Sequence, residues 1–314
     1  MLLALAGLTS NGATAASMAT FEETFATDPA ARGWRTQGER ALFNWDVAGQ
    51  GLDVTWDSSK TNSYFYRPLG TVLARDDDFS LSFDLQLQDV WAANAFEVAV
   101  GFIRLADASR PDFYRGSGAD SPNLVEFDYF PDTGFGATVS PAITSSNSSF
   151  ATGFTWPLEI ALDSVHHVEL RYAASNQTLV TTMTRNGEAL GPIKDVKLGV
   201  DFSDFRVDAV AVCSYSEAGQ EEAWKGQILA HGRVDNLVVT LPLPPLADVA
   251  GQFSGGRWEV QFSSRANWTY TLESTSDFKT WTSLASAVGN GTRLTLRDGQ
   301  PHAAQFYRIR AERP

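Results

Sequence analysis

Residues 79 to 87 read Phe79-Ser-Leu-Ser-Phe-Asp-Leu-Gln-Leu87. Apolar and polar residues alternate at every step, which is the period of a β-strand with one buried and one exposed face. The run Phe96–Ile103 alternates in the same way and carries small residues on its second face, which predicts the close approach of a ligand or a second sheet. No window of the chain keeps a helical period, so the sequence predicts an all-β fold.

Turn-forming residues separate further strand candidates along the chain. Asn186-Gly187 is a hairpin signal, because both residues tolerate the backbone of a tight turn. Many strands with turns between them predict a two-sheet antiparallel jelly-roll sandwich. The other strand candidates of this domain are Asn123–Phe130, His167–Ala173, Thr178–Arg185, Phe205–Ser214 and Val234–Leu241.

The stretch Leu241-Pro-Leu-Pro-Pro-Leu246 predicts a domain boundary, because three prolines remove hydrogen-bond donors that a central strand needs. We therefore expect a jelly-roll domain over residues 17–241, a proline-rich linker over 242–248 and a small β-sandwich-like module over 249–314. The module's strand candidates are Arg257–Phe262, Trp268–Glu273, Thr280–Ser283, Thr292–Leu296 and Gln305–Arg310. Its aromatic residues expected to pack in the core or between strands are Trp258, Trp268, Trp281, Phe306 and Tyr307.

The 314 residues include 24 Lys and Arg against 37 Asp and Glu, which gives a formal charge of −13. This charge argues against nucleic acid, whose phosphates need a basic surface, and against docking on an anionic bilayer. Four His and one Cys exclude zinc fingers, iron–sulfur clusters and disulfide scaffolds. No run of about 18 apolar residues is present, so we expect no membrane span. The run Asp76-Asp77-Asp78 predicts a charged turn in contact with solvent.

The first 16 residues, MLLALAGLTSNGATAA, combine an apolar stretch with a small-residue pattern at Ala13-Thr14-Ala15. This order is typical of a signal peptide and its cleavage site, although no Lys or Arg precedes the apolar stretch. Residues 1–16 are therefore predicted to be a signal peptide or, failing that, a flexible tail. The first interpretation predicts a protein that is secreted or held at the cell surface.

One acidic segment stands out, Leu124-Val-Glu-Phe-Asp-Tyr-Phe-Pro-Asp132. Residues two apart on a strand share a face, so Glu126, Asp128 and Phe130 project together. Neighbouring carboxylates repel each other unless a cation, a shared proton or solvent relieves the charge. Calcium can do this, since it takes about six to eight oxygen ligands.

The same segment resembles the metal-site strand of legume-type lectins, in which Val-Glu-Phe-Asp-Thr-Phe-x-Asn is followed by an Asp and a His. The resemblance covers roughly Ala19 to Leu241 and implies the concanavalin A-like jelly roll. It also implies a metal site made of the Glu126, Asp128 and Asp132 carboxylates with the Phe130 carbonyl. Other pieces resemble strands of that fold in matching order, namely Phe79–Leu87, Phe96–Ile103, Phe205–Ser214 and His231–Thr240.

The chain departs from the lectin pattern after Asp132. Gly136 stands at the position of the family's second ligand Asp, and Ile143 stands at the position of its His. A two-metal site therefore cannot be intact, and a single calcium or no metal is expected. The C-terminal module resembles small β-modules at the ends of secreted bacterial proteins, which implies attachment, self-association or export.

The lectin topology implies that three loops meet beside Asp132 and hold a sugar. Sugar rings stack on aromatic side chains while their hydroxyls pair with carboxylates and amides. The function expected from this resemblance is binding of an extracellular glycan or polysaccharide. The ligand-binding residues it implies are Trp91, Asn94, Asp132, Tyr215 and Glu217.

Two alternatives stay open. Jelly-roll glucanases carry a similar acidic spacing, which would make Glu126 the nucleophile, Asp128 a helper and Asp132 the acid/base of a glycoside hydrolase or lyase. A retaining pair needs carboxyl groups about 5–5.5 Å apart. Here the acid/base would be Asp rather than Glu, and Pro131 precedes it, so no enzyme activity is assigned. The second alternative is a structural surface or adhesion protein whose acidic row is solvated.

Overall fold

The computed structural model describes residues 19–93, 96–115, 121–220, 226–301 and 305–313. The predicted signal peptide and the predicted ligand residue Asn94 lie outside these residues. Helical turns in the described chain are limited to Pro29–Arg32, Arg40–Leu42 and the single α-turn α1 (Leu105–Ala108). Over the same residues, no helix is both long and apolar enough to cross a bilayer.

Strands make up most of the jelly-roll domain. In chain order they are β1 (Ala19–Glu23), β2 (Arg35–Gln37), β3 (Phe43–Asp46), β4 (Gly51–Asp57), β5 (Ser63–Leu73), β6 (Phe79–Ala92), β7 (Val98–Ile103), β8 (Leu124–Phe130), β9 (Thr138–Val139), β10 (Ala142–Thr144), β11 (Phe150–Thr152), β12 (His166–Ala173), β13 (Thr178–Arg185), β14 (Glu188–Leu190), β15 (Val196–Lys197), β16 (Val207–Ser214) and β17 (Ile228–Leu241).

Two antiparallel sheets stack to form the sandwich. Among the described residues, nine strands form one sheet, in the order β14-β13-β12-β6-β17-β4-β3, with β1 beside β17 and β15 beside β13. Eight strands form the other, in the order β11-β10-β8-β7-β16-β5-β2, with β9 beside β8. The alternating run that begins at Phe79 is the inner strand β6, and its apolar residues are buried between the sheets. The predicted two-sheet antiparallel sandwich is confirmed.

The C-terminal module has its own sheets and its own core. Its strands are β18 (Leu246–Ser254), β19 (Arg257–Ser264), β20 (Thr269–Thr275), β21 (Thr282–Val288), β22 (Arg293–Asp298) and β23 (Phe306–Glu312). Within the described chain they form two three-stranded sheets, β18-β19-β22 and β21-β20-β23. The core residues are Val260, Phe262, Trp268, Tyr270, Leu272 and Leu296. Because β18 begins at Leu246, the last three residues of the predicted linker belong to a strand.

The module docks on the jelly roll through the acidic turn before β6. Arg313 forms ion pairs with Asp76 and Asp77, and Arg265 forms a third with Asp77. The Asn267 amide donates to Asp76 at 2.6 Å. Asp77 is only 6% exposed, so the prediction of a solvated turn is wrong for this residue: the C-terminal module removes it from water.

Candidate functional site

The acidic row of β8 lies on the outer face of the eight-stranded sheet. Phe127 packs on Phe83 of the facing sheet with ring centroids 5.8 Å apart, so its neighbours Glu126 and Asp128 point away from the inner core. Gly101 of β7 pairs with Glu126. A Cβ atom at Gly101 would lie 2.6 Å from Cα of Glu126, so only glycine leaves room for the glutamate there.

The described part of the segment between β7 and β8 lies on this outer face through Phe113 and Arg115. The Phe113 ring stacks on Tyr215 at 6.2 Å and meets Tyr64 edge-on at 6.4 Å. The Asn62 side chain donates to the Phe113 carbonyl at 2.7 Å and holds the segment in place. The small residues of β7 were predicted to admit a ligand or a second sheet, and the structure places the chain's own segment there.

Arg115, carried by this segment, lies between the two carboxylates. Its Nε donates to Glu126 Oε2 at 3.0 Å, and its Nη2 donates to Asp128 Oδ2. The Tyr215 hydroxyl donates to the other oxygen of Glu126. Arg115, Glu126 and Asp128 are each at most 1% exposed, so this is a buried salt-bridge network, hereafter the Arg115 network.

Burial raises the pKa of three groups in or beside this network. It raises the pKa of Glu126 above 4.5, and the Arg115 guanidinium and the Tyr215 hydroxyl oppose that rise only in part. Burial also raises the pKa of the Tyr215 hydroxyl and of the Cys213 thiol well above their usual ranges, with the nearby Glu126 adding to both. Both groups therefore keep their protons at neutral pH, and neither is an activated nucleophile.

Arg115 occupies the space between two of the predicted metal ligands, Glu126 and Asp128. Calcium takes about six to eight oxygen ligands, whereas Arg115 already binds one oxygen of Glu126 and one of Asp128. In the part of the chain that the structure describes, no three His, Cys, Asp or Glu side chains are grouped so that they could hold a metal ion. Phe130 is buried at the end of β8. Calcium would have to displace a guanidinium, so the calcium site stays a prediction that a melting experiment tests.

Asp132 is exposed to solvent, unlike Glu126 and Asp128. It lies on the exposed loop after β8, and its Oδ1 accepts the Gly134 amide at 2.7 Å. Glu126 and Asp128 are fully buried. A retaining glycosidase needs both carboxyl groups in contact with one sugar, whereas Glu126 has no exposed surface.

The predicted sugar-binding residues occupy different surroundings. Tyr215 is 1% exposed and lies inside the Arg115 network rather than in a binding wall. Glu217 is partly buried, and its Oε2 accepts the Ser58 hydroxyl at 3.0 Å. Trp91 is 55% exposed, but it lies near the end of β6 in the nine-stranded sheet, whereas Asp132 follows β8 in the other sheet.

The loop that carries Asp132 also contributes to an aromatic cluster that was not predicted from the sequence. The Trp156 ring lies 5.0 Å from Phe154 and 6.2 Å from Phe135, measured between centroids. Phe135 is 72% exposed and Trp156 is 52% exposed, while Phe154 is partly buried. We refer to these three residues as the loop aromatic surface. The sequence shows aromatic residues in two turn-rich segments, but only the fold brings these segments into contact.

Backbone hydrogen bonds hold the two segments together. Val139 and Thr155 exchange N–H···O bonds of 3.0 and 2.9 Å, and the Leu158 amide donates to the Ala137 carbonyl at 2.8 Å. Within the first loop, the Thr133 hydroxyl donates to the Gly136 carbonyl at 2.9 Å. The aromatic rings are therefore presented on a bonded framework.

Comparisons with known proteins find similarity only at the level of structure. No protein-family model matches the chain, and no curated protein matches it. Peanut lectin is 15% identical, with 72% of this chain and 99% of that chain covered and a TM-score of 0.47. Lectin II from Ulex europaeus has 15% identity, the same coverages and a TM-score of 0.46, and the Lotus tetragonolobus seed lectin has 14% identity, coverages of 72% and 100%, and a TM-score of 0.45. These identities carry no function across, and the fold assignment rests on the sheet topology described above.

Proposed function

We propose that this protein is an exported glycan-binding protein that holds its sugar on the loop aromatic surface. The observation that carries the proposal is the group of Phe135, Phe154 and Trp156, with two exposed rings, one of them on the loop that carries Asp132. Export is inferred from the leader-like pattern of residues 1–16.

The chemistry of this surface fits a sugar. Large aromatic rings grouped on a surface mark a binding site, since burying them against a partner releases water from apolar area. Sugar rings offer apolar C–H faces to such rings and need polar groups around the edge to fix their orientation. Asp132 and Thr133 bring a carboxylate and a hydroxyl to the same loop.

Binding without cleavage is favoured by the state of the acidic row. Glu126 has no exposed surface, and its carboxyl group is held by Arg115 and Tyr215. A nucleophile must reach the anomeric carbon of the sugar, which a fully buried carboxyl group cannot do.

A glycan array followed by calorimetric titration of the strongest ligand tests the proposal. We expect Trp156→Ala and Phe135→Ala each to weaken binding tenfold or more, because each removes a stacking ring. Phe253→Ala is the matched control, since Phe253 is 66% exposed on β18 of the C-terminal module. A release assay for reducing sugar on the same ligand is expected to give no product.

Two results would reject this assignment. Unchanged affinity in both loop variants, together with lost affinity in Trp91→Ala, would move the site to the end of β6. Sugar release that disappears in Glu126→Gln would make the protein a hydrolase.

A further inference from the structure

A second aromatic cluster, with two exposed rings and one partly buried ring, lies on the C-terminal module. The Phe278 ring lies 4.0 Å from Phe306 and 6.4 Å from Trp281, measured between centroids. Phe278 is 60% exposed and Phe306 is 48% exposed. We call these three residues the module aromatic surface. Tyr307 and Ile309 pack against the module core, so the alternation along β23 leaves Phe306 on the outer face. The prediction that Phe306 packs in the core or between strands is therefore wrong.

The loop that carries Phe278 is held in shape by its own polar groups. Asp277 Oδ1 accepts the amides of Lys279 and Thr280 at 2.8 and 2.9 Å. The Thr275 hydroxyl oxygen accepts the Phe278 amide at 3.0 Å. These backbone donors also lower the pKa of Asp277, so the carboxylate is ionised at neutral pH. Phe278 itself has a φ of 57°, in the left-handed region that a phenylalanine rarely adopts.

A polar pocket of about 430 Å³ adjoins the same loop. Its lining residues are Ser274, Thr275, Ser276, Asp277, Thr280, Thr282 and Gln305. Over the described residues, the side-chain hydroxyls of Ser276, Thr280 and Thr282 form no hydrogen bond within the protein. The three rings do not line this pocket, but Phe278 and Phe306 directly follow its lining residues Asp277 and Gln305. A sugar chain uses both kinds of group, rings against its apolar faces and polar groups at its hydroxyls.

From this arrangement we propose that the C-terminal module is a second binding surface for a neutral polysaccharide. The proposal shares its ligand class with the proposed function but concerns a different surface. A neutral sugar is proposed because the two arginines on the strand of Phe306 are already paired with Glu273. Among the described residues, Lys279 on the loop is an exposed cation without an ion pair, and the alginate probe tests whether it recruits an acidic polymer. Arg308 lies 4.0 Å over the Trp281 ring and pairs with Glu273, which also pairs with Arg310.

The contact between the module and the jelly roll bears on how tightly a long polymer would bind. The ion pairs of Arg265 and Arg313 with Asp77 hold the module against the jelly roll. A polymer long enough to contact both surfaces would gain up to about 10²–10⁴ in affinity over a single site without new contacts.

The test is affinity gel electrophoresis of the full chain in gels containing cellulose derivatives, xylan, β-1,3-glucan or mannan, with alginate as the anionic probe. We expect at least one neutral polymer to retard the wild type. The double variant Phe278→Ala/Phe306→Ala is expected to weaken that retention tenfold or more. Both rings are exposed, so the variant should fold, and its circular dichroism and melting curve check this. Phe253→Ala is the control with an exposed ring on the other sheet of the module.

The outcomes separate the two proposals. Retention lost in the module variant but kept in Trp156→Ala supports the module site and rejects the loop site. Retention lost in Trp156→Ala but kept in the module variant overturns the module site alone. Binding of short glycans on the array, with no retention by any polymer, also overturns the module site. Retention by alginate only would overturn the neutral class. A change in oligomeric state of the variant, measured by light scattering without any change in retention, would show that this surface joins copies of the chain and overturn the proposal.

Discussion

The Arg115 network and the ion pairs of Asp76 and Asp77 with Arg265 and Arg313, hereafter the Asp77 network, both bury guanidinium groups against carboxylates. They connect different parts of the molecule. In the first, Arg115 lies 11 residues before Glu126 and pins one segment of the jelly roll onto its own sheet. In the second, Arg313 is 236 residues from Asp77 and joins the C-terminal module to the jelly roll. One network therefore stabilises a domain and the other fixes the relation between two domains.

The difference also appears in the environment of the carboxylates. Burial raises the pKa of both Asp77 and Glu126, and nearby arginines oppose the rise in each case. Asp77 still shares its surroundings with Asp76, which is 38% exposed at the side chain. The side chains of Arg115, Glu126 and Asp128 are at most 1% exposed, so losing the Arg115 cation should cost more stability. Four measurements can break or sharpen this comparison.

The largest effect is expected for Arg115→Met. It leaves two buried carboxylates without their guanidinium, which should lower the free energy of unfolding by about 3–5 kcal/mol. Urea unfolding followed by circular dichroism measures this. Arg110→Met is the matched control, because the Arg110–Asp112 pair is exposed and should contribute less than about 1 kcal/mol. Equal losses in the two variants would contradict a stabilising role for the Arg115 network.

A smaller loss is expected for Arg313→Met. One partner is partly exposed, so the cost should be about 2 kcal/mol, between the values for surface pairs and for buried pairs. The loss should appear in the module's transition and as faster proteolysis between residues 242 and 245. Arg310→Met removes pairs with Glu273 and Glu312 at an exposed position and serves as the control. Unchanged proteolysis in Arg313→Met would mean that the module is held by other contacts.

A third measurement uses pH. Because the folded-state pKa of Glu126 is raised, the folded protein keeps a proton that the unfolded chain loses above pH 4.5. Stability from this group is thus present below pH 4.5 and falls as pH rises towards the folded-state pKa, by at most about 1.4 kcal/mol per pH unit. Urea unfolding between pH 4.5 and 8 should show this fall in the wild type and a flatter profile in Glu126→Gln. Parallel profiles would place the titration elsewhere.

The smallest effect concerns calcium. With Arg115 in place between Glu126 and Asp128, we expect the same melting temperature in EDTA and in millimolar calcium. A cation that bound the folded state at a hundredfold excess over its Kd would add about 2.7 kcal/mol and shift the curve by a few degrees. Such a shift, lost in Asp128→Asn, would confirm the calcium site implied by the lectin resemblance.

Local sequence was sufficient where a strand's own pattern decides its structure. The alternation that begins at Phe79 predicted β6, and the predicted strand Thr178–Arg185 agrees residue for residue with β13. The acidic row was also placed correctly on one face of β8. A strand's period of two and the turn residues beside it are read from neighbours in the chain, so these features are visible without a structure.

What covers each face was decided only by the tertiary structure. The same pattern that put Glu126 and Asp128 on one face could not show that Arg115 would lie between them. It could not show that Arg313 would bury Asp77, or that Phe135 and Trp156 would meet on the surface. These pairings depend on which segments the fold brings together, since charge and burial are set by contacts across the chain. The sequence by itself determined the sheets, and the tertiary packing determined which charges are buried and which rings remain open to a ligand.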